Sequence, residues 1–433
     1  INSNKTLAVG QTTTIGYGAA LTLNGGAFST GSLVSNGAFV FNSGTFSLTD
    51  DDLTIGTGGQ MGDYVQLGLP KTVNVTNNIN VIASGVLAMD DGLLTGGALN
   101  NSGLIYGGGR ISAPLNNASD GEVRVAGGDQ LRLTGTGNSN AGRMSIIGGT
   151  VEFTDTLTNE STGVITGQGT LIAGAGLTNA GTVALSGGVS HVYGDVDNQA
   201  SALVVISGGG TTTFWDDVDN QGEFRTSANT SAAFFGTVSG SGVFTGAGTT
   251  YFEADLTPGS SPAALSFEGD VVFGPLAGLQ IELGGTTRGD QYDALEVGGS
   301  LSLGGALRVE LISEFLPEVG DEFDILDWGS LAAATFSSIE LPELTGRKAW
   351  DTSGLYTSGL VTVVGMLMGD TDADWDVDDD DYDAVVAVFG DAGDWHTDFN
   401  EDGRVDLTDF VLLRANFGTN AGASVAAGAP VAT

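Results

Sequence analysis

The sequence has no cysteine and few basic residues, and each scarcity excludes a class of protein. Without cysteine there are no disulfides, zinc–thiolate sites, iron–sulfur clusters or cysteine nucleophiles. Lys and Arg total 13 against 52 Asp and Glu, which gives a net charge of −39. Neither nucleic acid nor an anionic membrane surface is therefore an expected partner. The longest apolar run, 361–368, is too short to span a bilayer.

Glycine, by contrast, is abundant, with 71 residues or about twice ordinary usage. Glycine suits tight corners that need a positive φ angle and leave little room for long side chains. The helix-forming residues Lys, Glu, Arg and Gln are scarce before residue 369. The composition therefore predicts an all-β body.

A short phrase, in which an apolar residue is followed by Thr or Asp and then by Asn, recurs at nearly equal intervals. Its four regular copies are Leu157-Thr158-Asn159, Leu177-Thr178-Asn179, Val196-Asp197-Asn198 and Val218-Asp219-Asn220. Looser copies stand at Val75-Thr76-Asn77, Leu99-Asn100-Asn101 and Leu115-Asn116-Asn117. A period of about 20 residues without helix formers is typical of a β-solenoid, in which each repeat is one coil. We expect the Asn amides to stack along the axis and to hydrogen-bond to one another.

Residues 1–255 are therefore predicted to form a parallel β-solenoid (β-helix) rod. The alternative is an antiparallel sandwich in which Asn and Gly only mark hairpin turns. Prolines cluster at 256–262, and residues 256–368 form a second β-rich region with longer and more acidic strands. The pattern of this region fits either a continuation of the solenoid or a small sandwich.

Residues 369–418 hold sixteen acids and two arginines and contain two acidic loops of equal length, 370–381 and 398–409. Ca²⁺ takes about six to eight oxygen ligands, and alternating residues of such a loop fold inward to supply them. The predicted ligands of the first loop are Asp370, Asp372, Asp374, the carbonyl of Asp376, and Asp381. Those of the second loop are Asp398, Asn400, Asp402, the carbonyl of Arg404, and Asp409. The sequence thus predicts two Ca²⁺ sites.

Loop positions are numbered 1 to 12, starting at Asp370 in the first loop and at Asp398 in the second. The two loops differ at position 6, where the chain must turn sharply. The second loop has Gly403 there, whereas the first has Trp375. Because a bulky residue forced to positive φ costs about 1–2 kcal/mol, the first site is expected to be the weaker one. Val377 and Val405 occupy position 8, where paired loops usually lock together. Each loop is followed by an apolar run that ends at a glycine and reads as a helix.

Two family resemblances follow from these motifs. The Asn and Gly repeats, the TPGSSP junction and the passage GDQYDALEVGGSLSLGG resemble the autotransporter-type β-helix repeat region of large secreted bacterial proteins. This resemblance covers residues 20–365 and implies a right-handed parallel β-helix at the cell surface, without a particular activity. The two Ca²⁺ loops, which start at Asp370 and Asp398 and are each followed by one helix, resemble a type I dockerin over residues 369–418.

The dockerin resemblance implies a Ca²⁺-folded module that docks onto a cohesin-like protein. The family's recognition positions, 10 and 11 of each loop, fall on Asp379, Asp380, Leu407 and Thr408. The acidic pair in the first loop departs from the family's pattern, which leaves the partner open. The competing interpretation is an internal module that caps the end of the rod. The small apolar segment 419–433 is either a flexible tail or a strand that lies against a neighbouring subunit.

No catalytic motif is present, and the one suggestive carboxylate cluster before residue 256 consists of Asp216 and Asp217 beside Trp215, with Asp195 and Asp197 one coil back. His191 is expected to be a surface ladder residue rather than a general base. We therefore predict a non-enzymatic extracellular structural protein, a surface fibre or matrix subunit whose copies associate head to tail. The rivals are a secreted polysaccharide-active enzyme and an adhesin that binds surface glycans. Exposed Trp and Tyr on one solenoid face would favour the adhesin.

Overall fold

The structure is a computed structural model that describes residues 1–259, 262–393 and 395–420. It is mostly β, with 52% strand and 6% helix, and forms a parallel β-solenoid of about 13 turns. The chain divides into a first unit, residues 1–238 and 242–251, and a second unit, residues 239–241 and 252–433. The predicted boundaries after residues 255 and 368 stay predictions. The predicted tail lies outside the described residues from 421 onward.

The strands up to the boundary between the units are, in chain order, β1 Thr6–Ile15, β2 Ala20–Ser35, β3 Ala38–Leu48, β4 Leu53–Ile55, β5 Tyr64–Gly68, β6 Lys71–Val75, β7 Ile79–Val81, β8 Val86–Thr95, β9 Leu99–Asn101, β10 Leu104–Ser112, β11 Leu115–Asn117, β12 Glu122–Ala126, β13 Gln130–Leu133, β14 Asn138–Asn140, β15 Arg143–Phe153, β16 Leu157–Asn159, β17 Val164–Ala173, β18 Leu177–Asn179, β19 Thr182–Ser186, β20 Val189–Tyr193, β21 Val196–Asn198, β22 Leu203–Ser207, β23 Thr211–Phe214, β24 Val218–Asn220, β25 Glu223–Thr226, β26 Ser231–Phe234, β27 Val238–Ser239, β28 Val243–Thr245 and β29 Thr249–Phe252. The second unit continues with β30 Ala264–Phe267, β31 Asp270–Phe273, β32 Gly278–Leu283, β33 Ala294–Ser302, β34 Ala306–Leu311, β35 Glu322–Asp324, β36 Leu326–Leu331, β37 Ser338–Glu340, β38 Lys348–Asp351, α1 Leu355–Ser358, β39 Leu360–Gly365, α2 Asp379–Ala387 and α3 Leu407–Asn416.

The Asn phrase of the first unit forms one stacked sheet of short strands, which we call the ladder sheet. It includes β4, β7, β9, β11, β14, β16, β18, β21 and β24. Each strand lies in register on the next, as when β16 pairs parallel to β18 with Asn159 opposite Asn179. The remaining strands of the unit form the other faces of the coils, also in parallel pairs such as β15–β17 and β22–β25. The parallel pairing confirms the solenoid and excludes the hairpin-linked sandwich for these coils.

The predicted amide ladder is present on the inner side of the ladder sheet. Six consecutive hydrogen bonds of 2.7–2.8 Å link Nδ2 of one Asn to Oδ1 of the next. The residues are Asn101, Asn117, Asn140, Asn159, Asn179, Asn198 and Asn220, and all are buried. Each amide therefore satisfies the polar groups of its neighbours inside an otherwise apolar column.

Two details of the repeat differ from the sequence prediction. The Val75-Thr76-Asn77 copy is wrong, because the strand that stacks on Leu99–Asn101 is β7, which places Val81 opposite Asn101. The strand Asn138–Asn140 belongs to the ladder sheet although it begins with Asn instead of an apolar residue. In the irregular coils, the stacking of the coils shows which strands belong to the ladder sheet, and the Asn phrase alone does not identify them.

The corner glycines of the coils are required by close packing. Gly181 follows the ladder residue Asn179, and a Cβ there would lie 2.3 Å from the Glu160 carbonyl oxygen and 2.4 Å from that of Gly163. Its φ angle is not in the left-handed region. Of the two expected reasons for glycine, the positive φ does not apply at Gly181, whereas the lack of room does, because the previous coil leaves no space for a side chain.

The β-rich part of the second unit also stacks in parallel. Strands β30, β33 and β36 pair in parallel along one face, and β32, β34 and β37 along another. Their inward residues, such as Leu279 and Leu307, are fully buried. A three-stranded antiparallel sheet, β35–β39–β38, then follows. The stacked part agrees with the solenoid alternative for this region, whereas the last sheet departs from it.

Candidate metal centre

The first acidic loop ends in a short helix whose N-terminus is built from its own carboxylates. Helix α2 begins after Asp378, whose side chain accepts a hydrogen bond from the Asp380 amide. Asp381 returns a bond by accepting from the Asp378 amide at 2.8 Å, which completes a capping box. Thr371 also donates to Asp381, from its amide and from its hydroxyl. Asp381 is thereby fixed at the point where the loop closes.

The second loop has a capping box at the equivalent positions. Helix α3 begins after Asp406, and Asp409 accepts a bond of 2.9 Å from the Asp406 amide. Asp409 also accepts from the amides of Phe399, at 2.7 Å, and Asn400, at 3.2 Å. The hydrogen bond from the Thr408 amide to Asp406 lowers the pKa of the Asp406 carboxyl. Sequence reasoning missed the capping role of Asp378 and Asp406, although the spacing Asp-x-x-Asp before an apolar run is a signal for it.

The first carboxylate of each loop organises the turn around itself. Asp370 accepts from the amides of Ala373, at 2.7 Å, and Trp375, at 3.2 Å. In the second loop, Asp398 accepts from the Asp402 amide at 3.2 Å and from the Gly403 amide at 2.6 Å. Both carboxylates are buried. The backbone of each loop therefore turns around a carboxylate, and the amides of the loop donate hydrogen bonds to it.

The backbone of position 6 behaves as the sequence predicts. Trp375 has φ 72° and Gly403 has φ 90°, so both are left-handed. Position 4 is left-handed as well, with Ala373 at φ 62° and Glu401 at φ 57°. Since an L residue with a large side chain is strained in this region, the first loop keeps the turn in spite of Trp375, at a cost of about 1–2 kcal/mol.

Carboxylates crowd together in the first loop. Oxygens of Asp370, Asp372 and Asp374 lie within 4.8 Å of one another, and so do those of Asp376, Asp378 and Asp381. Burial, with the charges of Asp381 and Asp372 adding to it, raises the pKa of Asp370 to about 6. Oδ1 of Asp376 is buried and has no hydrogen-bond partner among the described residues. Such a cluster of hard oxygen donors is compatible with a divalent cation such as Ca²⁺.

The second loop has Asn400 where the first has the carboxylate of Asp372, and within the described residues 398–409 no three acidic side chains lie as close together as those of the first loop. Asn400 and Asp402 are exposed, and Asn400 donates from Nδ2 to Asp402 at 2.9 Å. Their oxygens accept from the amides two residues ahead, Asp402 and Arg404, at 3.0 and 3.1 Å. The side-chain oxygens that would face a cation are therefore held by the turn itself. Whether the second site is stronger than the first stays a prediction.

A small apolar core holds the two loop–helix repeats together. It contains Val377, Val385, Phe399, Val405 and Leu413. The two position-8 valines lie in this core, but their backbones bond to the segments that end the opposite helices. Val377 exchanges hydrogen bonds with Gly418 and Thr419, at 2.7 and 2.9 Å, and Val405 with Gly390 and Asp391, at 2.8 and 3.0 Å. The segment before each helix is thus hydrogen-bonded to the segment that follows the other helix.

The predicted docking residues lie at the first turns of the two helices. Asp379 and Asp380 are exposed at the start of α2, and Leu407 and Thr408 are exposed at the start of α3. Leu407 is 67% exposed. The equivalent positions of both repeats are therefore available to a partner.

A residue of the preceding β region also contacts this module, and no sequence motif predicts that contact. Arg347 donates to the carbonyls of Leu367 and Trp395, and its guanidinium lies 5.0 Å from the centre of the Phe399 ring. Beside the first loop is a cavity of about 540 Å³ whose lining includes Trp350, Trp375 and Trp395. Within the second unit, the module therefore contacts the β region that precedes it through Arg347.

No protein-family model matches this chain, and no curated protein matches it either. Among the residues that the structure describes, no helix is both long and apolar enough to cross a lipid bilayer.

Proposed function

We propose that this protein is a non-enzymatic structural protein of the cell exterior, a β-solenoid subunit with a Ca²⁺-dependent docking module at residues 369–418. The observation that carries the proposal is the equivalence of the two loop–helix repeats. Position 12 closes both loops through the same bonds, Asp381 in one and Asp409 in the other. Such duplication is expected when both loops hold the same kind of ion, and simple capping of a rod does not require it.

In this proposal Ca²⁺ is held by Asp370, Asp372, Asp374, the Asp376 carbonyl and Asp381, and by Asp398, Asn400, Asp402, the Arg404 carbonyl and Asp409. The cation would supply the positive charge that these crowded carboxylates lack, because the region has only two arginines against sixteen acids. The module would then fold, or tighten, as the ion binds.

The proposed partner surface is the exposed side of α2 and α3. Besides Leu407, α3 carries Val411, 56% exposed, and Phe389, 51% exposed, lies two residues beyond the end of α2. Exposed apolar side chains grouped on two short helices favour protein docking over simple solvation. A cohesin-like protein, as in the dockerin family that the loops resemble, is one proposed partner; a second copy of this chain is the other.

A second copy of this chain is favoured as the partner because of the exposed edge strand of the first unit, β1. Strand β1 pairs with β2 on one side, and most of its residues are exposed. An unpaired strand edge is a template for another chain. A contact between this edge and a different surface of the next copy is heterologous, and it produces a filament when the rotation between copies does not close a ring.

Electron microscopy of the purified protein, with Ca²⁺ and then with a chelator, tests both parts. We expect filaments with Ca²⁺ and their loss when the ion is removed. Monomeric particles in both conditions would reject self-assembly. The Asp381→Asn/Asp409→Asn double variant provides the control, because it should behave in Ca²⁺ as the wild type does in chelator.

A further inference from the structure

Four outward side chains on consecutive coils of the first unit form an apolar row, which we call the aromatic row. Ile172 of β17 lies opposite Tyr193 of β20. Trp215 directly follows β23, whose Phe214 lies opposite Val192, and Phe235 directly follows β26, whose Phe234 lies opposite Phe214. Tyr193, Trp215 and Phe235 are 36%, 37% and 47% exposed. Large rings at this exposure on adjacent coils form a continuous patch on the outer face of these coils.

The rings of the row are ordered relative to one another. Tyr193 and Trp215 are almost parallel, with 5.8 Å between ring centres and 7° between planes. Trp215 and Phe235 lie 4.7 Å apart at 27°. The indole N–H of Trp215 donates to Nδ1 of His191 at 3.3 Å, which fixes the orientation of both side chains. The row is therefore pre-organised, so that a ligand would bind to it without ordering flexible side chains.

A row of carboxylates runs beside the rings, at the turns that follow the same strands. Asp216 accepts from the Gly194 amide at 2.7 Å, Asp195 from the Asp217 amide at 3.3 Å, and Asp217 from the Thr237 amide at 2.8 Å. All three carboxylates are exposed. A carboxylate has about four acceptor positions, so each one retains capacity for further donors after its backbone bond.

The charge around the row restricts the ligand. Between Ile172 and Phe235 the sequence contains one basic residue, Arg225, which lies on β25 and pairs with β22 instead of the strands of the row. On those strands an anionic polymer would meet acidic residues without a compensating cation, and a purely apolar partner would leave the carboxylates without donors. A chain of sugar rings supplies both requirements, because its C–H faces pack on aromatic rings and its hydroxyls donate to carboxylates.

We propose that the aromatic row binds an uncharged polysaccharide that lies along the stack of coils, with Trp215 as its central contact. The direction follows from the spacing of the row: one side chain is presented by every coil, about 4.8 Å apart, so the surface is long and narrow like an extended polymer. This site is independent of the proposed Ca²⁺ module and of self-assembly. It gives the protein a second activity, the retention of neutral glycan.

Affinity electrophoresis of the full chain in native gels that contain hydroxyethylcellulose, xyloglucan or laminarin tests the proposal. We expect at least one of these polymers to slow the wild type, with alginate, an anionic polymer, having no effect. Trp215→Ala should weaken the retardation roughly tenfold or more, as expected for a central aromatic contact. Tyr64→Ala removes another exposed ring of the first unit, 54% exposed, and should migrate like the wild type.

A second readout separates binding from folding. Trp215 is the single tryptophan before residue 328, so Trp215→Phe keeps a ring in the row and removes its fluorescence. A polymer-induced change in tryptophan fluorescence should be present in the wild type and absent from this variant, which should still be slowed in the gel. The gel shift should persist in chelator, because the proposed site does not involve Ca²⁺.

Several results would overturn the proposal. Wild-type mobility that none of the three uncharged polymers changes would do so, as would equal retardation of the Trp215→Ala variant. Sedimentation of wild type as a dimer without polymer, and of Trp215→Ala as a monomer, would show that a second copy covers the row instead.

Discussion

The side chain of Asn159 donates from Nδ2 to Oδ1 of Asn179 at 2.8 Å, and both side chains are fully buried. The same nitrogen also donates to the Thr182 carbonyl at 3.2 Å, while Oδ1 of Asn159 accepts from Asn140 at 2.7 Å. An amide is suited to this position because it is a donor and an acceptor at once, so a column of identical side chains satisfies itself. The column requires an Asn at the same position of successive coils, and the repeat in the sequence provides it.

Asn159→Ala should therefore destabilise the first unit by about 3 kcal/mol. The substitution leaves Nδ2 of Asn140 and Oδ1 of Asn179 without their ladder partners in a buried site, and each such loss costs about 1–3 kcal/mol. Asn116→Ala is the matched control. Asn116 lies in the same sheet but points outward, where it donates to Asn100 at 3.0 Å. The measurement is the urea midpoint of unfolding, and equal midpoints for the two variants would refute the role of the inner ladder.

The stacked fold was predictable from the sequence wherever the repeat is regular. Between Leu157 and Asn220 the phrase marks each coil, because an apolar residue and an Asn at fixed spacing must point to the same inner side. The prediction failed where a polar residue occupies the apolar position of the phrase and is accommodated there by hydrogen bonds. Asn138 stands in the place of an apolar residue, and its amide is satisfied by the Leu115 amide and by the carbonyls of Gly135 and Thr156. Such compensation depends on neighbouring coils and leaves no local signal.

The same distinction applies to the candidate metal centre. The loop residues were predictable because the alternating oxygens all lie within a single short loop. The reciprocal bonds of Val377 and Val405 join segments that are distant in sequence, as does the contact between Arg347 and Phe399. Long-range contacts of this kind depend on how the repeats pack, and the pattern of residues within one loop does not encode them.

Gly181→Ala should destabilise the first unit by about 2 kcal/mol, within the usual range for overpacking. The new Cβ would lie 2.3 Å from the Glu160 carbonyl oxygen, which belongs to backbone that cannot move without disturbing the stack. Gly10→Ala is the control, because a Cβ at Gly10 has no heavy atom within 4 Å. Thermal unfolding of both variants measures the difference. A Gly181 variant as stable as the Gly10 variant would contradict the argument from close packing.

Ca²⁺ should raise the melting temperature of the wild type, and replacement of the two position-12 carboxylates should remove this effect. At a free concentration 100 times its dissociation constant, an ion adds about 2.7 kcal/mol of stability for each site. Asp409→Asn should retain the contribution of one site, and Asp381→Asn/Asp409→Asn should retain neither. Asp383→Asn, which changes an exposed carboxylate of α2 outside the ligand set, should behave as wild type. An undiminished Ca²⁺ response in the double variant would exclude these loops as the binding sites.

The last prediction concerns Asp293, a fully buried carboxylate of the second unit. It accepts from the amides of Ala263, at 2.6 Å, and Glu282, at 2.9 Å, yet burial raises its pKa to about 6. The unfolded chain has the ordinary pKa of about 3.9. Between these values the folded state binds more protons than the unfolded state, so the stability contributed by protonated Asp293 is present below pH ~4 and is lost as the pH rises through ~6.

Asn at position 293 keeps the shape and does not titrate. The free energy of unfolding of the wild type should therefore fall relative to that of Asp293→Asn between pH 4.5 and 7.5, by an amount on the order of 2 kcal/mol. Asp290→Asn, at an exposed neighbouring carboxylate, removes the same charge and should show no such trend. Urea unfolding at four pH values across this range gives both differences. Because the general charge repulsion of the chain changes equally in the two variants, a pH-independent difference between wild type and Asp293→Asn would mean that Asp293 does not titrate in this range.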